Sequence, residues 1–400
     1  MVKRRAVLVT LLRSAAVLAV MGSMSVAQQP VTKLAFKAYF ANNADSAAAL
    51  FKIAVSQHPS DASLHAWQAE AALRSSNPAE ALQPADDALR LDPCNAQAHL
   101  VRASLFMPRW APRGRADNDS TWAHLIEAVN CDSSDGNAWS YVWKYAIIRR
   151  DSAAESRALR ALVATGFLTP PQITYAEWVL RGLPPRAVLL TGGDMDTYAP
   201  LAAQVAMGVR RDVAVLNVVM LNAPWYSRPM LARHELRYDE RLPVDSTRTD
   251  AQKIVTWLRQ EAVTGALGRP VAFALTAPID TSSRDSALQL AGPYWLVVRP
   301  GVARTDSAKI AESLRNADAL DWRGPAVAWS DRSPVHRLYE PAPALMVSRV
   351  ALLDSALAVQ RDRKLARNRE QWISNFLRHA GVDWLTTNRT LEAFRAAHLK

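Results

Sequence analysis

Cysteine is nearly absent: Cys94 and Cys131 are the two in 400 residues. Two thiols cannot build a disulfide-dense miniprotein, nor by themselves a Cys-ligated zinc site. Glycine is scarce, at 14 residues, which excludes a collagen-like chain. Half the residues are hydrophobic, which excludes a disordered one. The catalytic signatures are missing too. There is no His-Glu-x-x-His, no Gly-x-Ser-x-Gly, no Gly-x-x-x-x-Gly-Lys-Ser/Thr and no Gly-x-Gly-x-x-Gly. The eight histidines are scattered, and neither His234-Glu235 nor Pro334-Val335-His336 has a partner at ligand spacing. No cofactor is expected, the metal question stays open, and a catalytic role is not favoured. Past residue 30 no stretch holds eighteen consecutive apolar residues, so no further membrane span is expected.

The charge balance is basic, 48 Lys plus Arg against 37 Asp plus Glu, a formal +11. Its distribution argues against nucleic acid as the partner. Lys3, Arg4 and Arg5 precede an apolar run from Ala6 to Met21, and Ser25-Val26-Ala27 closes it. This is the layout of a secretory signal peptide, residues 1–27, cut after Ala27. An uncleaved anchor is the alternative. Cleavage lowers the charge to +7, since Lys3, Arg4, Arg5 and Arg13 leave. The rest is dispersed, and no basic run is interleaved with aromatics as in single-strand binders. A periplasmic or secreted protein is expected, not membrane-spanning after cleavage. An acidic protein or the anionic envelope surface is the natural neighbour for such a charge.

Residues 32–165 read as amphipathic helices with an internal period. Ala54-Val55-x-x-x-Pro59 recurs as Ala88-Leu89-x-x-x-Pro93, an offset of 34 that Asp61 and Asn95 share. Alanine lets paired helices approach closely, and proline stops the second helix before the next pair begins. A third unit follows an insertion at 107–116. On these residues, with Leu91-Asp92-Pro93 the best match, the segment resembles tetratricopeptide-repeat proteins. The resemblance implies a curved stack that binds a protein or peptide. His65, Trp67, Gln68, Trp139 and Tyr141 are candidate partner contacts, although for the tryptophans filling the repeat core is the favoured role. Cys94 lies just past one repeat and Cys131 at the end of the next, about one helix diameter apart, so a disulfide is expected.

The pattern changes at Leu183-Pro184-Pro185. From 183 to 400 strands alternate with helices and the chain ends in helices, which predicts an α/β domain with a mostly parallel sheet. The fold class is thus α plus α/β. Ligands of such sheets sit beyond the carboxyl ends of strands. Asp194, Asp196 and Thr197 follow one end, and Asn222, Trp225 and Tyr226 follow the next. Two carboxylates beside an aromatic fit a sugar hydroxyl or a divalent ion. Helix capping by Asp196 or Thr197 accounts for the same residues without a ligand.

The run Ala187-Val188-Leu189-Leu190-Thr191-Gly192-Gly193-Asp194-Met195-Asp196-Thr197, with Arg211-Asp212-Val213 and Leu221–Tyr226, resembles the soluble C-terminal region of a family of bacterial membrane proteins of unknown function. That family is described as glycosyltransferase-like and distantly related to protein O-mannosyltransferases. Its turn reads Asn-Gly-Asp-x-Asp-Thr, so Gly192 departs from it. The resemblance implies a fold and a carbohydrate-related surface. It does not carry catalysis, because this chain lacks the membrane helices of that family. Two readings remain. One is an exported, non-catalytic scaffold or adaptor that binds a protein or peptide through its repeats. The other is a carbohydrate-binding or carbohydrate-active envelope protein, with a glycan in the two loops.

Overall fold

Helix starts in the first part of the chain are written by Asn and Asp. In the computed structural model α1 (Pro30–Phe40) leads into α2 (Ala44–Gln57), which Asn43 caps through the amide of Ser46. Asp61 accepts from Ser63 and Leu64 to start α3 (Ala62–Arg74). A 3-10 turn and α4 (Leu82–Leu91) follow, and Asn95 caps α5 (Ala96–Leu105) through Ala98. Asp117 caps α6 (Asn118–Cys131). Each cap gives a partner to a leading amide that the helix itself leaves orphaned. The structure describes residues 30–108, 116–239, 247–278, 287–322, 349, 352–353, 363–379 and 384–398. The signal segment, most of the 107–116 insertion, and Arg361 and Asp362 of the Arg361–Lys364 run lie outside these residues.

The chain divides into two compact units, residues 1–133 and 134–400. The first is helical. Ala47, Ala54, Ala69, Ala85, Ala88, Ala98 and Ala103 are buried completely along its helices. Small side chains at these positions let helix backbones approach closely. The 34-residue offset returns in side-chain detail. His65 Nε2 sits 2.9 Å from the carbonyl of Pro59, and His99 Nε2 3.1 Å from that of Pro93. Trp67 is half-buried in an aromatic cluster with Phe36, Tyr39 and Phe51. Glu70, buried, accepts from the Tyr39 hydroxyl, Arg74 and Gln97, so its charge is compensated from three helices. Cys94 and Cys131 are joined by a disulfide, their Cα atoms 5.3 Å apart.

The second unit opens with α7 (Gly136–Arg149), α8 (Ser152–Ala164) and α9 (Pro170–Gly182), the first two capped by Asp135 and Asp151. Its boundary thus falls well before the composition change at 183. The reason is packing. Trp143 of α7 is fully buried and meets Tyr198 edge-on, and Trp178 of α9 donates to the carbonyl of Ser313 at 2.7 Å.

The sheet follows: β1 (Val188–Thr191), α10 (Asp194–Met207), β2 (Ala214–Asn217), α11 (Pro224–Arg233), α12 (Asp250–Thr264), β3 (Val271–Ala274), β4 (Leu288–Gly292), β5 (Tyr294–Val297) and α13 (Ser307–Asp318). The strand order is β2-β1-β3-β5-β4. β1 pairs in parallel with β2 and β3, whereas β5 runs antiparallel to both β3 and β4. The sheet is therefore mixed rather than mostly parallel. Only Pro293 separates β4 from β5, and so short a link permits antiparallel pairing alone. β1, β2 and β3 are buried along their whole length, as strands covered on both faces must be. At their amino ends two arginines act as carbonyl clamps. Arg210 binds the carbonyls of Leu180, Leu183 and Pro184 as well as Asp212, and Arg269 those of Arg186 and His234. Part of the basic excess is thus structural. α14 (Arg363–His379) and α15 (Trp384–His398) end the unit around Ile373, Leu377, Leu391 and Phe394.

Candidate functional site

The chain leaves β1 to one side for β2 and then returns past β1 to β3 on its other side, so the direction of strand addition reverses between β1 and β3. At such a switch point the connections diverge and leave a crevice beyond the carboxyl ends of the strands. A cavity of about 310 Å³ lies there. Its apolar wall includes Tyr175, Ala176 and Val179 of α9, Leu189 of β1, and Ala199 and Pro200 of α10. Gly192, Gly193, Asp194, Asp196, Ala274, Thr276, Gln172 and Arg349 complete the lining. Pro200 has no amide hydrogen, so it cannot serve the carbonyl of residue 196 in the helix.

Asp196 is a structural staple. Its carboxylate accepts from the amides of Gly192 at 2.9 Å and Gly193 at 2.7 Å, and from the Thr276 hydroxyl. The first two bonds tie down the start of α10. The third welds the loop after β1 to the loop after β3. Gly192 makes that weld fit: a Cβ there would stand 2.3 Å from the carbonyl oxygen of Thr276. Asp194, two residues earlier, is exposed at the mouth. The protein mass around its carboxyl pushes its pKa up, the Lys144 charge opposes this, and Asp196 adds to it. Burial raises the Tyr175 hydroxyl, while Arg349, hydrogen-bonded to it, pulls it down.

Thr197 is fully buried. Its hydroxyl donates to the carbonyl of Gly193 at 2.6 Å, accepts from Asn217 at 3.0 Å and meets Thr191 at 2.6 Å. It locks β1, β2 and α10 together and does not line the cavity. The Asn222, Trp225 and Tyr226 group lies beyond β2, and none of the three lines it either. Asn222 accepts from the amide of Ala251. Tyr226 is core, its oxygen taking the amide of Asn217 at 2.9 Å, and burial drives its hydroxyl pKa upward. Trp225 is half-buried with the Lys144 ammonium 5.6 Å over its ring. Lys144 is therefore the group that relates the two predicted loops: it neighbours Asp194 and Trp225.

Of the candidate partner contacts, His65 and Trp139 are buried, and Trp67, Gln68 and Tyr141 half-buried. Sequence reasoning missed Tyr175, Gln172, Thr276 and Arg349. Thr276 had a signal, since it follows the strand 271–274 as Asp194 follows β1. Among the described residues no group of three His, Cys, Asp or Glu could hold a metal ion. Among them, too, no helix is long and apolar enough to cross a membrane.

The site is thus that of a small α/β unit with a cavity at its switch point. Residues 173–259 match the family described as TMEM260-associated domain 2, so the chain carries a TMEM260-associated domain there. The match runs from α9 through β1, α10, β2 and α11 into α12, and so takes in most of the cavity wall. The β3 loop with Thr276 lies beyond it. No curated protein matches the chain.

Proposed function

We propose that the chain is a non-catalytic binding protein whose α/β unit takes a small ligand with one apolar face and one hydroxylated edge, the chemistry of a pyranose ring. The cavity at the carboxyl ends of β1 and β3 carries this reading. Its size is in the range of ligand pockets. Tyr175, Val179, Leu189 and Ala199 offer an apolar wall for ring C–H groups, and Asp194 at the mouth offers an acceptor for hydroxyls. Asp196 is committed to three donors, so among the described lining residues Asp194 is the carboxylate left to meet a ligand, which supports binding. Methyl-resolved NMR of the full chain with a panel of methyl pyranosides tests it. Shifts should appear at Val179, Leu189 and Ala199 and weaken in Asp194→Asn. Shifts elsewhere, or none with any pyranoside, would remove the reading.

The helical unit supports a second, compatible reading, that of an exported adaptor for a protein or peptide. The supporting observation is the repeated capped turn with its His–Pro contact at a 34-residue offset. Export is supported by the residues 1–27 pattern and suits a disulfide, which persists in oxidising compartments. Co-purification from envelope fractions, with and without residues 32–133, tests it: a partner kept by the truncated chain would count against the repeats.

A further inference from the structure

Within the helical unit His99 of α5 and His124 of α6 face each other, their Nδ1 atoms 3.0 Å apart. His99 Nε2 lies against the carbonyl of Pro93. A carbonyl only accepts, so Nε2 of His99 carries the hydrogen and its Nδ1 keeps a lone pair. Nδ1 of His124 is then the donor. Both rings are neutral in this arrangement, each held in one tautomer by its neighbour.

The surroundings favour that neutral state. Phe106 stacks on His124, its centroid 6.0 Å away, and the Arg102 guanidinium stands 5.3 Å over Phe106. Asp86 is the acid facing His124, and it is paired with Arg102 at 3.3 Å. Burial first, then His99 and Arg102, push the His124 pKa down to about 4, with Asp86 opposing. A covalent link stands alongside: Cys94, next to Pro93, is bonded to Cys131 at the end of α6. The α5–α6 pair is thus tied at one end by sulfur and along its length by the two rings.

We propose that His99–His124 is a proton-operated joint: on acidification the pair gives up its ring-to-ring bond, α5 and α6 loosen locally, and the Cys94–Cys131 tether limits the opening so that it reverses on neutralisation. A first proton enters at His124 Nε2, the one ring nitrogen not used between the rings or on Pro93. It creates an imidazolium near Arg102, with Asp86 to offset it. A second must enter at His99 Nδ1, and that atom is free only if the ring-to-ring bond breaks. The closed joint therefore binds fewer protons than the open one, and falling pH drives opening.

Amide hydrogen exchange of the full chain between pH 7.5 and 4.5, corrected for intrinsic chemistry, reads this directly. Residues 96–105 and 118–131 should exchange faster below the ordinary histidine range, by up to about tenfold per pH unit for one linked proton, while 44–57 stays unchanged. Protection should return on neutralisation. His124→Phe keeps the stack on Phe106 and removes the ring-to-ring bond, so opening no longer frees a proton site at His99 and its profile should be flat. An equal acid response in His124→Phe, or none in the wild type, overturns the proposal. Should that variant not fold, carbon-detected titration of the wild-type imidazoles decides. His124 is expected to titrate well below about 6.5, and its titration at the ordinary histidine value would overturn the proposal.

Discussion

Gly192→Ala probes the weld between the β1 and β3 loops. An added Cβ would lie 2.3 Å from the carbonyl oxygen of Thr276 and 2.8 Å from Cα of Ala277, both backbone atoms of the facing loop. No rotamer change can relieve that, so one loop must move by about 1 Å, and overpacking of this kind costs about 1–3 kcal/mol. The movement also stretches the hydrogen bond from Thr276 to the Asp196 carboxylate. A bond to a charged group contributes about 1.5–3 kcal/mol. Part of the two costs is shared, so about 3 kcal/mol is expected. For a unit of this size that lowers Tm by roughly 6–12 °C. Calorimetry of the full chain measures it, with Thr276→Val as the control that loses the hydrogen bond but adds no clash. Gly192→Ala should fall further than Thr276→Val. A Tm within about 1 °C of wild type would refute the close approach, since a clash with backbone cannot be free.

Other perturbations have equally definite outcomes. Replacing Cys94 and Cys131 by serine frees a loop of 37 residues' separation. The chain-entropy estimate is about 4 kcal/mol, read from the urea midpoint. Arg233 binds Glu155 with both nitrogens at 2.8 Å, and the Glu155 side chain is 8% exposed. Arg233→Met should cost about 2 kcal/mol, below the value for a fully buried pair because the Arg233 side chain is 40% exposed. Adding Glu155→Gln should recover part of that loss in a double-mutant cycle. His234 has a buried Nε2 with no partner among the described residues, and burial, then Arg269 and Arg233, push its pKa down to about 4. Its folded state favours the neutral ring, so this stability is present above about pH 6.5 and is lost as pH falls towards 4, by at most about 3 kcal/mol. His234→Phe should flatten that part of the Tm-against-pH curve.

The elements that could be read from the chain are those whose environment is uniform. β1, β2 and β3 show as apolar runs because both faces are covered, and α2 to α5 show as a period because each pair meets the same neighbour. β4, Leu288-Gln289-Leu290-Ala291-Gly292, carries a glutamine that spends its amide on the carbonyl of Ala303, so it does not look like a buried strand. α7 to α9 have the amphipathic pattern of the preceding helices, and pattern alone does not say which surface takes the apolar face. At the site, the carboxyl-end rule found Asp194 and Asp196. It also selected Tyr226 and Thr197, polar groups that instead satisfy strand ends. Tyr175 and Arg349 reach the cavity from segments more than a hundred residues apart, and no local motif links them.

Whether the β1–β3 cavity takes a ligand decides the function of the α/β unit. Ala176 is buried in the cavity wall, and Ala176→Phe would fill the cavity from α9 while leaving Asp194 unsubstituted. Methyl-resolved titration of wild type and Ala176→Phe with the same methyl pyranosides is the direct measurement. Saturable shifts at Val179 and Leu189 in the wild type, lost in the filled variant, are predicted. Shifts that persist with the cavity filled would contradict the account, as would a wild type whose cavity methyls respond to no pyranoside.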